Sequence, residues 1–211
     1  MPQINIILAN VEAGQLKLPE FQRGYVWNRS QVRDLFDSLY HGHPAGSLLT
    51  WLTTRDDVKI ELLLDGQQRI TSLYGVIKGR PPEFFHGNPR AFQSLYFHVI
   101  EEKFEFYQPI KMKSDLCWFD VTKVMQAGVD GITRIIQEQF AGTSDFQDRE
   151  LRVMQSLMRL VGLAGKNFHI EQIADDKKPV KECLIYAMLL ANPVQNGSSD
   201  ASDVQFWSEF W

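Results

Sequence analysis

Leu62-Leu63-Leu64-Asp65-Gly66-Gln67-Gln68-Arg69-Ile70-Thr71 passes from an apolar strand through an Asp-Gly break into a helix whose first residues are all polar. A helix start leaves backbone N–H groups unpaired and carries a partial positive charge, so this junction favours a phosphate or a carboxylate. Arg69 adds a planar fork of donors suited to phosphate, and Gln67, Gln68 and Thr71 add neutral hydrogen-bonding groups. A guanidinium on the first turn opposes the helix dipole, and a bound anion would offset that placement. Asp65 has two readings at this point. It orients a water or a metal at bound phosphates, or it only caps an ordinary strand-to-helix connection. Gln67 and Gln68 contact a base, ribose or phosphate, or they are simply a solvated helix start.

Two upstream stretches share this polar, turn-forming character. In Leu18-Pro19-Glu20-Phe21-Gln22-Arg23-Gly24-Tyr25-Val26-Trp27, the proline disfavours helix at Leu18, so Gln22 and Arg23 fall on an extended segment with side chains on opposite faces. Arg23 is expected to face the site; its alternative is an ion pair with Glu20 or Asp34. Trp27 reads as core packing rather than as a stacking platform. In Pro44-Ala45-Gly46-Ser47-Leu48-Leu49-Thr50-Trp51, Gly46 and Ser47 offer a backbone N–H and a hydroxyl to phosphate, or form a turn that leads into a strand.

Working outward, Ile4, Ile7, Leu8 and Val11 recur at helical spacing before Gly14, and Leu16-Lys17-Leu18 alternates as a short strand. Asn28 and Gln31 form a capping box ahead of Val32, Leu35, Phe36, Leu39 and Tyr40, with Gly42 as the stop. Strands are expected at 47–52 and 60–64, the second central because it is continuously apolar. A helix follows over 67–78, then a hairpin of 94–100 and 103–107 in which Leu95, Phe97, Val99, Phe104 and Phe106 alternate. Helical periodicity resumes at about 121 and is strongest over 146–161, with Phe146, Leu151, Met154, Leu157, Met158 and Val161 as its apolar set. Residues 168–173 read as a last strand. The charged clusters at 101–105 and 175–178 read as solvated turns, and the stretch from about Asn192 as a flexible tail.

Composition narrows the function. The 211 residues are 44% hydrophobic and 23% charged, the balance of a globular chain. A formal net charge of −4 argues against a surface that grips nucleic acid throughout, so DNA contact must be local or come from a partner. Cys117 and Cys183 stand far apart without a CxxC pair or a Cys/His cluster, which indicates neither zinc nor a disulfide framework. The start of the chain lacks the order of a secretory signal and no stretch has the length of a membrane helix, so a cytoplasmic location with no membrane partner is expected. His41-Gly42-His43 has no third ligand at metal spacing and reads as structural, and no GxxxxGK[ST] phosphate loop occurs.

The three motifs in this order, with Asp-Gly-Gln-Gln-Arg at residues 65 to 69 as the most specific, resemble the N-terminal domain of the GmrSD-like family of modification-dependent restriction and antiphage proteins. That family is related to ParB/sulfiredoxin-like proteins, whose corresponding turn cradles a nucleotide. The resemblance covers roughly residues 3 to 175. It implies an α+β fold, a ParB/sulfiredoxin-like mixed sheet with flanking helices over residues 1–110, then a mostly helical extension over 111–191 and an atypical tail over 192–211. It implies binding and hydrolysis of a nucleoside triphosphate, with catalytic roles for Asp65, Arg69 and Gln68. Nucleotide contacts would come from Gln22, Arg23, Gly46, Ser47, Asp65, Gly66, Gln67, Gln68, Arg69 and Thr71, and Mg²⁺ would be held at Asp65.

Family nucleases carry a downstream His-Asn-His-type domain, and the family's usual Phe-x-Arg-(Ile/Val)-Asn continuation has no counterpart after residue 173. The expectation is a natural short form or a truncated or frame-shifted reading of a longer one. A partner subunit or a missing C-terminal nuclease domain would then cut DNA, and homo-oligomerisation is left open. The alternatives are a non-enzymatic DNA-recognition module switched by nucleotide, and a truncated regulator that works through partner contacts.

Overall fold

Periodicity and caps set most of the elements. The computed structural model describes residues 1–18, 24–55, 58–85, 87–141 and 149–173. Of the expectations above, Gln22, Arg23, Phe146, Cys183, the 175–178 cluster and the tail from 192 lie outside these residues. All the described residues fall within one unit, Met1–Asp175.

Helix α1 (Ile4–Glu12) buries Ile4, Ile7, Leu8 and Val11 as their spacing requires, and Gly14 follows it with φ +68°. Strand β1 (Leu16–Lys17) comes next. Helix α2 (Arg29–His41) opens on a complete capping box: Asn28 Oδ1 accepts from the Gln31 N–H at 3.1 Å, and Gln31 Oε1 accepts from the Asn28 N–H at 3.0 Å. Gly42, at φ +78°, ends it, and Val32, Leu35, Phe36, Leu39 and Tyr40 face the core.

Strands β2 (Ser47–Arg55) and β3 (Val58–Asp65) form an antiparallel pair. With β7 (His169–Ile173) they build a four-stranded mixed sheet in the order β1-β3-β2-β7, in which β1 runs parallel to β3 and β7 parallel to β2. The apolar β3 is interior, as its composition requires. Helix α3 (Gln67–Lys78) leaves directly from the end of β3 and stops at Gly79.

A second sheet, antiparallel in the order β5-β4-β6, joins β4 (Leu95–His98), β5 (Lys103–Phe106) and β6 (Trp118–Asp120). Leu95 pairs with Phe106 and Phe97 with Phe104, so the alternating residues share one buried face. Tyr40 of α2 closes on this face, with ring centroids 4.8 Å from Phe97 and 5.8 Å from Phe104. A short α4 (Pro109–Met112) and β6 carry no periodic signal because four and three residues are too few to show one.

Helix α5 (Val121–Gln139) is capped by Asp120 and broken at Gly128, whose φ of 63° is not helical; it packs on α3 and on α6 (Glu150–Val161). The apolar face of α6 differs from the expected one. Val153, Leu157 and Leu160 are buried, whereas Leu151 and Met158 are exposed. A stripe at i, i+4 and i+7 forms the buried line, with the expected Met154 and Val161 partly buried beside it and Leu151 and Met158 outside it.

The cluster at 101–105 is likewise no plain solvated turn. Glu102, at φ 49°, accepts from Tyr40 Oη at 2.8 Å and Ser156 Oγ at 3.2 Å, and pairs with Arg159 at 3.4 Å. One carboxylate thus ties α2, the β4–β5 turn and α6 together, and small polar Ser156 occupies the contact where a larger apolar residue would block it.

The chain is an α+β protein with a mixed sheet and flanking helices. Among the described residues no helix is long and apolar enough to cross a membrane.

Candidate functional site

Topology gathers the three motifs at one end of the mixed sheet. Because β2 and β7 are parallel and start together, with Ser47 in register with His169, and β3 runs the other way, Asp65 at the end of β3 lies beside the start of β2, in register with Leu49. A register irregularity at Leu49/Thr50 marks a bulge next to this pair. Strand β1 is parallel to β3, so the chain leaves Lys17 toward the same end. The segment 19–23, which carries Gln22 and Arg23, joins Leu18 to Gly24.

The Asp65–Arg69 junction differs from a simple capped helix. The N-cap is Gly66, at φ +98°, and no side chain caps α3. A Cβ at Gly66 would collide with the Leu48 side chain, so glycine is required both by its backbone conformation and by space. Asp65 is therefore not the cap. Its carboxylate, 67% exposed, points to Arg69, with Oδ2 2.9 Å from Nη2. The same Nη2 donates to the Ser47 carbonyl at 2.5 Å. The guanidinium lies against Gly46, where an added Cβ would land on Nη1. Gly46 has φ +80°.

Arg69 is thus held by two acceptors on one nitrogen and flanked by two glycines. Its Nε is buried with no hydrogen-bond partner among the described residues, and its side chain is only 19% exposed. Part of the anion that balances this first-turn arginine is Asp65 itself.

The glutamines divide. Gln68 is 8% exposed and its amide is committed to backbone: Oε1 accepts from the N–H groups of Val26 at 2.9 Å and Trp27 at 3.2 Å, and Nε2 donates to the Gly24 carbonyl at 3.3 Å. One turn on, Ser72 Oγ meets Tyr25 Oη at 2.8 Å. Together they fasten 24–27 to α3, and burial pushes the Tyr25 phenol up to about 12. Gln68 therefore positions the segment after residue 23. Gln67 is half-buried and its side-chain amide makes no hydrogen bond among the described residues, Thr71 is buried, and Ser47 is exposed. Trp27 packs against the core, as its sequence position implied.

His41 and His43 belong to no group of three metal-type ligands among the described residues. Nδ1 of His41 meets the Asp37 carbonyl at 3.0 Å, and the two imidazoles stack at 6.0 Å. Asp34, the alternative partner for Arg23, is paired with Arg33 at 2.8 Å.

A cluster that spacing did not reveal is His98, Asp115 and Cys117, whose ligand-type atoms lie within 4.8 Å of one another. It corrects the expectation that no Cys/His cluster exists; strand pairing of β4 with β6 closes a long gap in sequence. Its hydrogen bonds argue for a clasp rather than a metal centre. The Glu101 N–H donates to His98 Nδ1 at 2.9 Å, which places the ring proton on Nε2, and Nε2 donates to Asp115 at 3.1 Å. A metal at Nε2 would need the lone pair this tautomer lacks. Burial alone would raise the Asp115 carboxyl, but hydrogen bonds from the Cys117 N–H and from His98 outweigh it and hold it below the usual range. Burial and the nearby Asp115 push the Cys117 thiol up, which disfavours a nucleophilic thiolate.

Asp65 belongs to no such trio among the described residues. Mg²⁺ fits there only with phosphate oxygens as further ligands, the usual arrangement for an ion that binds one or two carboxylates and keeps waters.

These features define an α+β domain with a glycine-flanked arginine at an uncapped helix start, to which residues 24–27 are fastened through Gln68 and Ser72. Residues 4–186 match the family described as GmrSD restriction endonuclease, N-terminal domain, and the chain belongs to that family. Membership ties it to a restriction system and to antiphage defence. No curated protein matches the chain.

Proposed function

We propose that the chain binds a nucleoside triphosphate at the Asp65–Arg69 junction and hydrolyses it, and that this cycle regulates a DNA-cutting activity of the restriction system. The observation that carries the reading is Arg69: a guanidinium fixed by Asp65 and Ser47, with its buried Nε unsatisfied, beside helix N–H groups that no side chain caps. A buried donor left without a partner is costly, and a phosphate here would lower that cost.

In this reading Gly46 and Gly66 allow close approach of phosphate, and Asp65 orients water or shares Mg²⁺ with the phosphates; Mg²⁺ supplies charge neutralisation. Gln68 acts by holding 24–27, and the preceding Gln22 and Arg23 complete the binding side chains. The kinship with ParB/sulfiredoxin-like proteins belongs to the same proposal. DNA contact and cleavage come through a partner subunit or a further domain, and the protein acts in the cytoplasm.

The test is phosphate release from each of the four nucleoside triphosphates with Mg²⁺, alongside direct binding. Arg69→Ala should weaken binding by about 1.5–3 kcal/mol, the range for a charged hydrogen bond, or roughly tenfold to a hundredfold. Unchanged affinity in a folded variant would remove the site from consideration, and binding without turnover would make the chain a nucleotide switch rather than an enzyme.

A further inference from the structure

A cleft of about 470 Å³ opens at the paired starts of β2 and β7. Its size falls within the range that encloses small ligands. Gly46 and Ser47 link it to Arg69: they line the cleft, and they are the residues against which the Arg69 guanidinium rests. Pro44 and the buried Phe168 give it an apolar floor, and the exposed imidazoles of His43 and His169 stand in its wall. Among the described residues no carboxylate lines it, and Glu171 is hydrogen-bonded to the His169 imidazole at 2.6 Å.

We propose that this cleft is the subsite for the nucleoside end of the triphosphate, with the base against Pro44, Phe168 and the imidazoles, and the phosphates running past Gly46–Ser47 to Arg69. The proposal rests on the triphosphate reading of the Asp65–Arg69 junction and adds to it the place where the nucleoside end of that ligand is held. An apolar floor with flat rings suits a base, which offers a face for stacking and an edge for hydrogen bonds. No acid lines the cleft itself among the described residues, and Asp65, 2.9 Å from Arg69 where the path ends, is the carboxylate that would share Mg²⁺ with the phosphates.

The experiment compares the four nucleoside triphosphates with inorganic tripolyphosphate as ligands, in wild type and in Asn167→Trp, an exposed position in the cleft wall chosen to fill it. The expected result is that at least one nucleotide binds roughly tenfold more tightly than tripolyphosphate, about what one stacked base contributes. Asn167→Trp should erase that margin and leave tripolyphosphate binding unchanged, and His43→Ala with His169→Ala should narrow the margin in the same direction without the bulk of tryptophan. Equal affinity of wild type for nucleotides and tripolyphosphate would overturn the subsite and leave the triphosphate reading standing. Failure of every ligand to bind would overturn both. A margin that survives both variants, in proteins that melt like wild type, would place the nucleoside elsewhere.

Discussion

Gln68 carries a larger structural load than its place in a polar run suggests. Replacing it by alanine removes the partner of the Val26 and Trp27 N–H groups and of the Gly24 carbonyl, and a part-buried hydrogen bond of this kind contributes a net of about 0.5–1.5 kcal/mol. Gln68→Ala should therefore lower stability by about that amount in a denaturant titration, with nucleotide affinity falling as a consequence of the loosened 24–27 segment. Asp65→Asn should do the reverse. The carboxylate is 67% exposed, and an exposed ion pair contributes only about 0.2–1 kcal/mol, so the fold should survive. Phosphate release should fall far more than affinity, because asparagine supplies no charge to a metal or a water. Melting curves run beside a phosphate-release assay decide the matter; equal loss of folding and turnover would leave Asp65 a structural role only. Sequence showed that these residues cluster at a helix start. It did not show which side chains turn inward, because Gln67 and Gln68 are identical in type and only the docking of 24–27 separates them.

Among the elements, α2 and α3 were the most legible because their boundaries are written in local chemistry. The Asn28–Gln31 box, Gly42 and Gly79 act over three or four residues and need no tertiary context. What local reading missed was set by pairing at a distance: the Gly66 cap depends on Leu48 of the neighbouring strand, β6 exists only as a partner of β4, and the face of α6 is fixed by the Glu102 clasp. The junction between β3 and α3 yields a direct test. At Gly66 an L side chain must adopt a φ of +98° and also displace the Leu48 side chain. Gly66→Ala should cost at least about 1–2 kcal/mol from backbone strain alone, more once the clash is added. A drop in melting temperature together with weakened triphosphate binding is expected, and a variant as stable as wild type would contradict the junction's geometry.

At the scale of the molecule, the buried phenol of Tyr40 and the half-buried one of Tyr25 give the protein an alkaline limit. Tyr25 and Tyr40 are each raised from 10.0 to about 12, chiefly by burial, with the Glu102 carboxylate adding to the shift at Tyr40. A folded-state value above the unfolded one stabilises the fold below pH 10, and the unfolded chain releases these protons first as pH rises toward 12. Melting temperature should fall across that window, less steeply in Tyr25→Phe. The global charge points to a further outcome. With a formal net charge of −4 the electrostatic term that dominates non-specific DNA binding is missing, so the purified chain should bind unmodified duplex only weakly at physiological salt. On the proposed function, cutting would be done by a partner or a further domain whose activity responds to nucleotide occupancy at Asp65–Arg69, through contacts that differ between the two states. Plasmid incubated with the 211-residue chain and Mg²⁺ should stay intact with and without nucleoside triphosphate. Robust cutting abolished by His41→Ala or His43→Ala would show that the stacked histidines at the end of α2 are catalytic and would overturn the division of labour proposed for this protein.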